Sequence, residues 1–155
     1  MRPYVALLLV LGLLASAGSL PSAVRGDEVK YVGGTIATLP SGTEGQVDSA
    51  DAKVLRFHSS KGKFEIPYDT ITSIEYGQKA GRRLGVAIMI SPIALLSKKR
   101  KHYLSIGYKD SNDVSQGVVL ELSKKMPRLI ITVIEARSGV KCEYDSEEAR
   151  KHVNG

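Results

Sequence analysis

The 155-residue sequence predicts a mainly β domain closed by a C-terminal amphipathic helix. Between residues 28 and 122, short stretches of β-favouring residues, several of them alternating, are separated by turn signals. At Pro127 the apolar period changes from two to about 3.6. Composition agrees: 43% hydrophobic and 25% charged residues are globular values. The length suits one domain, at ~100–200 residues per domain.

Residues 1–23 are expected to be a secretory signal peptide and not part of the fold. Arg2 supplies the charged start, and Val5 to Ala15 is an apolar run broken only by Gly12. The run is about 11 residues, short of the ~20 a spanning helix needs. Small-residue cleavage patterns follow at 15–17 and 22–23, so the exported domain starts near residue 18 or 24. The one cysteine, Cys142, excludes an internal disulfide, a Cys-based metal cluster and a lipid-modified cleavage site. It reads as a buried, inert thiol.

A β domain is expected over 24–144, with the helix at about 126–138, followed by a short helical tail over 145–155. Residues 28–38 read as the first strand, on Val29, Tyr31 and Val32. Residues 39–52 read as loop, on Pro40, Gly42, Gly45, Asp48 and Asp51. Residues 53–58 and 63–68 alternate around the turn 59–62 and form a hairpin. Pro67 cannot donate to a ladder, so the second hairpin strand is an edge or ends there. Strands follow at 71–76, 101–109 and 116–122, the last two joined by a turn at 110–113.

Pro127 suits the first helical position, Arg137 the last turn and Gly139 the position after it. Leu129, Ile130, Val133 and Ile134 are expected to form the buried face. Residues 140–144 read as a short strand. Asp145 is the expected cap of the tail helix, with Glu148 completing a capping box.

The stretch FEIPYDTITSIEY over residues 64–76 resembles the third-strand region of GRAM-like domains, where an I-P-x-x-x-I-x-x-I rhythm recurs. With the strand series and the final helix, the sequence from about residue 28 to 138 resembles the pleckstrin-homology-like (PH-like) fold, bacterial members included. That resemblance implies a bent antiparallel sheet or half-open barrel, plugged at one end by the helix. Residues 75–100 are also similar to secreted bacterial proteins without an assigned activity. Phosphoinositide-binding members carry basic residues between the first two strands. Here the loop 39–52 holds Glu44, Asp48 and Asp51 and no Lys or Arg, and the chain has no Trp. Phosphoinositide binding is therefore not implied, and fold likeness alone assigns no function.

The formal charge of +6 is concentrated in one place. Residues 76–109 contain Lys79, Arg82, Arg83, Lys98, Lys99, Arg100, Lys101 and Lys109, and no Asp or Glu. The rest of the exported chain is mildly acidic. Such segregation points to an anionic partner. Between the basic ends lies the apolar stretch 84–97, which includes Ile88, Met89, Ile90 and Ile93. As a helix, residues 84–96 would rise about 20 Å, against ~30 Å of hydrocarbon, and Pro92 would break it. Three readings stand: a connection packed on the sheet, a membrane-interfacial loop held by its basic ends, or a protein interface.

For chemistry the sequence offers little. It has no nucleophile elbow, His-Glu-x-x-His pair or P-loop. Residues 77–81 followed by Arg82 and Arg83 could cradle a phosphate, or could simply be a glycine-hinged connection. His58 beside Ser59 and Ser60 suggests a base and nucleophile, but neighbouring strand residues face opposite ways. No catalytic residue, metal ligand or cofactor is assigned.

The expectation is an exported, non-enzymatic binding or envelope-associated module, periplasmic or extracellular and peripheral to a membrane. Lys79, Arg82, Arg83, Lys98, Lys99, Arg100 and Lys101 would bind an anionic lipid or envelope polymer. Ile88, Met89, Ile90 and Ile93 would insert into it, or meet a protein partner or a second copy. Nucleic acid is not expected. The alternative is a small periplasmic hydrolase or transferase, which a polar pocket with convergent His58 or carboxylates would favour.

Overall fold

The computed structural model describes residues 28–90 and 101–155. The expected signal peptide lies outside the described residues. The strands are β1 (Glu28–Gly34), β2 (Thr43–Asp48), β3 (Val54–Ser59), β4 (Gly62–Pro67), β5 (Ile71–Gly77), β6 (Met89–Ile90), β7 (His102–Lys109), β8 (Ser115–Leu122) and β9 (Cys142–Tyr144). The helices are α1 (Pro127–Ser138) and α2 (Glu147–Asn154). A short 3₁₀ turn, Tyr68–Thr70, joins β4 to β5.

The strands form one sheet in the order β4-β3-β2-β1-β8-β7-β5-β9, with β6 added to β1. The sheet does not close on itself. The fold is mainly β with a C-terminal helical part, as the sequence predicts. Every described pairing is antiparallel except β5–β9, which is parallel. β4 lies at an edge, where Pro67 lacks an N–H to offer.

Alternation decides which side chains meet in the core. Leu55 and Phe57 of β3, Ile66 of β4, Ile74 and Tyr76 of β5, Leu104 and Ile106 of β7, and Val118 and Leu120 of β8 share the inner face. All are essentially removed from water. Phe57 stacks on Phe64 at 4.9 Å, and Tyr31 meets Phe64 edge-on. Helix α1 covers this core and packs against the Tyr68–Thr70 turn, across the passage from β4 to β5. The Arg137 guanidinium fixes its end. It donates to the carbonyls of Ser49 and Asp51 and to the Tyr68 hydroxyl, and sits over the Tyr68 ring. Gly139 ends the helix in the left-handed conformation at φ 75°, where a side chain would be strained.

Several expectations are corrected. The loop 39–52 contains β2, whose Thr43 and Val47 face inward. A β-carbon on Gly45 would collide with the Phe57 ring and the His58 carbonyl, so this glycine serves close strand packing and not a turn. The first strand ends at Gly34. The buried stripe of α1 is Pro127, Ile130, Ile131 and Ile134, while Leu129 is 67% exposed and Val133 only half-buried. Ser146, not Asp145, caps α2, accepting from the Ala149 N–H at 3.1 Å. No Glu148 capping box forms, because Ala149 occupies the third helical position.

Candidate functional site

A second, smaller core lies on the outer face of the sheet. Val32, Tyr103 and Val119 point outward there and are covered by Ala80 and Leu84, with Val86, Ile88 and Ile90 alongside. Gly107 and Gly117 sit opposite one another on β7 and β8 and thin the sheet at that point. A β-carbon on Gly117 would press on Leu84 and Val86 at 3.0 and 3.1 Å. The connection after β5 thus lies in a groove of glycines. β6 completes it, pairing Met89 and Ile90 with Gly34 and Gly33 of β1.

The expected insertion residues divide accordingly. Ile88 and Ile90 are half-buried against the outer core. The backbone of Met89 is paired with β1. Ile93 lies outside the described residues. The described part of the apolar stretch is thus a connection packed on the sheet.

The cations divide as well. Lys79 and Arg82 are exposed. Arg83 pairs with Glu143 at 2.7 Å, with both side chains well exposed, and such a pair contributes little to stability. Lys101 pairs with Glu121 at 2.8 Å and is better shielded. Lys98, Lys99 and Arg100 lie outside the described residues. A run without carboxylates in sequence acquires them in space from β8 and β9.

The turn after β5 does gather backbone N–H groups, as the phosphate-cradle reading required. Four of these donors are already engaged. The Gln78 and Lys79 N–H groups donate to Asp145 Oδ2 at 2.7 and 3.1 Å. Gly81 N–H donates to Ser105 Oγ at 3.0 Å and Arg83 N–H to Glu75 Oε2 at 3.2 Å. Glu75 is buried, and that burial raises its carboxyl pKa. The Asp145 carboxyl carbon lies 1.9 Å from where a Gly77 β-carbon would stand, so the contact depends on this glycine.

Sequence reasoning missed a second feature: a polar cleft of about 270 Å³ lined by Gln78, His102, Lys124, Glu148, Ala149 and His152. The His102 and His152 rings stack at 4.5 Å and 11°. The Tyr76 hydroxyl lies 2.7 Å from His102 Nδ1. His152 Nε2 lies 3.0 Å from the Lys124 carbonyl, which can only accept, so that nitrogen carries the hydrogen. Burial lowers the His102 pKa; His152 and Lys124 lower it further, and Glu148 opposes them. Rings so nearly parallel keep their lone pairs in separate planes, which does not suit shared ligation of one metal ion. Among the described residues, no group of three or more His, Cys, Asp or Glu is arranged to hold a metal. Nothing local in the sequence marks this cleft, because its two histidines come from β7 and α2.

His58 is exposed on β3, and Ser59 Oγ beside it donates to the Gly62 carbonyl. Cys142 is buried, and burial pushes its thiol pKa up to about 12, which keeps it a neutral, poor nucleophile.

No family model matches the chain, and no curated protein matches it. Among the described residues, no helix is long and apolar enough to cross a membrane.

Proposed function

We propose that the chain is an exported, non-enzymatic binding module of the PH-like kind, which engages an anionic membrane surface through its cationic segment 79–101. The observation that carries this reading is the placement of Lys79 and Arg82. Both are exposed on a turn whose backbone is tied to the sheet and to Asp145. A pre-ordered cationic turn loses little freedom on meeting its partner. Each Lys or Arg brought near an anionic leaflet contributes ~1 kcal/mol. The open sheet with a helix across the passage from β4 to β5 accords with the PH-like resemblance.

Co-sedimentation with phosphatidylglycerol vesicles tests the reading, with neutral vesicles as control. The protein is expected to prefer the anionic vesicles at low salt. The preference is expected to fade as the Debye length shrinks from ~10 Å at 0.1 M to ~3 Å at 1 M. Changing residues 98–100 to Gln should abolish it without altering the melting temperature, and K79Q/R82Q should weaken it. Equal sedimentation with both vesicle types overturns the membrane reading. An envelope polymer, a protein partner or self-association would then be the occupant to test.

The polar cleft supports a second reading, a small hydrolase or transferase in which His102 and Glu148 move protons. Turnover of model esters or phosphoesters that is lost in His102→Gln would support it.

A further inference from the structure

The turn after β5 already holds an anion, and that anion belongs to the chain itself. Two successive N–H groups, those of Gln78 and Lys79, converge on one carboxylate oxygen of Asp145. Consecutive backbone donors aimed at one point form an anion-binding nest. Gly77 leaves room for the carboxylate to lie directly on the backbone. The other Asp145 oxygen accepts only from the neighbouring Ser146 hydroxyl among the described contacts, at 3.0 Å.

The nest opens beside a cavity. Gln78, whose N–H is one of its donors, also lines the 270 Å³ cleft with His102, Lys124 and His152. The same turn carries Lys79, Arg82 and Arg83. Of the nearby carboxylates, Glu75 accepts the Arg83 N–H, Glu143 pairs with the Arg83 side chain, and Glu148 lines the cleft.

The segment that supplies Asp145 is short, and polar contacts hold it as much as packing does: Glu143 pairs with Arg83, and His152 meets the Lys124 carbonyl. Among the described residues, β9 is three residues long and pairs only with β5, and α2 buries only Ala149 and Val153. Short terminal elements with few buried apolar groups belong to the low-stability end of a fold.

We propose that the Gln78–Lys79 nest and the adjoining cleft form a binding site for a phosphate group, and that the β9–α2 segment competes for this site by presenting Asp145. The proposal deepens the anionic-surface reading, on which it rests, by naming the chemistry recognised and the group that holds it back. A phosphate has more oxygens than a carboxylate. It can take both nest donors and leave further oxygens for the cleft that Lys124 and His102 line.

The test is an amide-resolved NMR titration of the full chain with inorganic phosphate, using chloride at equal ionic strength as control. Asp145→Asn keeps the side-chain shape and removes the resident charge. The Gln78 and Lys79 amides are expected to shift saturably in this variant. The phosphate needed should be roughly tenfold lower than in the wild type, because a competitor reduces apparent affinity by the fraction of sites it occupies. Unmoved amides in both proteins, or shifts that chloride reproduces, overturn the proposal. If Asp145→Asn does not fold, the wild type and Lys124→Gln decide: a Gln78 shift weakened by Lys124→Gln supports the site, and no shift, or a shift that Lys124→Gln leaves unchanged, overturns it. A parallel arm with phosphatidylglycerol vesicles separates a lipid headgroup from free phosphate as the source. Phosphate shifts without vesicle preference sink the surface reading and leave the site. Vesicle preference without phosphate shifts sinks the site alone.

Discussion

The two faces of the sheet are covered by different kinds of backbone, and the chemistry beneath each differs for that reason. Helix α1 covers the inner face, and a helix satisfies its own backbone apart from its ends. The side chains below it can therefore be almost all apolar: Pro127, Ile130, Ile131 and Ile134 lie over an aliphatic and aromatic core, in which Thr43 is the buried polar residue. The outer face is covered by an irregular connection, whose N–H groups need partners from elsewhere. The sheet supplies them as Ser105 and Glu75, two of its three buried polar residues. A polar group inside a β domain can thus reflect the shape of what lies over it, with no chemistry implied.

The largest expected effect lies on the inner face. Ile134→Asp puts a charge with no partner under α1 and should cost about 4 kcal/mol in a denaturant titration, enough to unfold a marginal domain. Wild-type melting would mean that the inner face is not the main core. On the outer face, Leu84→Ala should cost about 2–3 kcal/mol, since the side chain lies in the Gly107–Gly117 groove and leaves a cavity. A loss equal to that of Ile134→Asp would erase the ranking of the two faces. Ser105→Ala strands the Gly81 N–H and should cost about 1–2 kcal/mol. Hydrogen exchange at Gly81 should quicken in that variant, while exchange in α1 stays unchanged.

A smaller effect comes from His102, where the two stacked imidazoles sit. Its pKa is lowered in the fold, so on acidification the unfolded chain takes up this proton first. The His102 contribution to stability is therefore complete above about pH 6.5 and is lost as pH falls. Comparing wild type with His102→Gln by denaturation between about pH 7.5 and 5 isolates it. The comparison is needed because Glu75, with a raised pKa, gives a slope of opposite sign at lower pH. The smallest effect is that of Leu129→Ala, which should stay within about 0.5 kcal/mol because the side chain points to water.

What could be read from sequence follows from how local each signal is. The β3–β4 hairpin, the turn before β8 and both ends of α1 are written in adjacent residues, and all stand where they were expected. β2 was not legible, because Gly45 reads as a turn residue until Phe57 is seen lying against it. The face of α1 was half legible. Two stripes share Ile130 and Ile134, and only the sheet beneath chooses Ile131 and Pro127 over Leu129 and Val133. Asp145 looked like a helix cap because its sequence neighbours fit that role, whereas its partners Gln78 and Lys79 lie far back in the chain. The histidine stack has no local signature at all.

The pairing of β1 with β8 sets the order in which this chain can fold. Val29 stands opposite Leu122, so the central ladder joins the first described strand to one that follows almost all the others. During synthesis β1 can pair early with β2, but its other edge stays open until β8 has left the ribosome. Chains dominated by such distant pairings fold in about milliseconds to seconds, far slower than helical bundles of similar size. Throughout that interval the edge of β1 is a strand in search of a partner, and a neighbouring chain can supply one. Refolding yield should therefore fall as protein concentration rises.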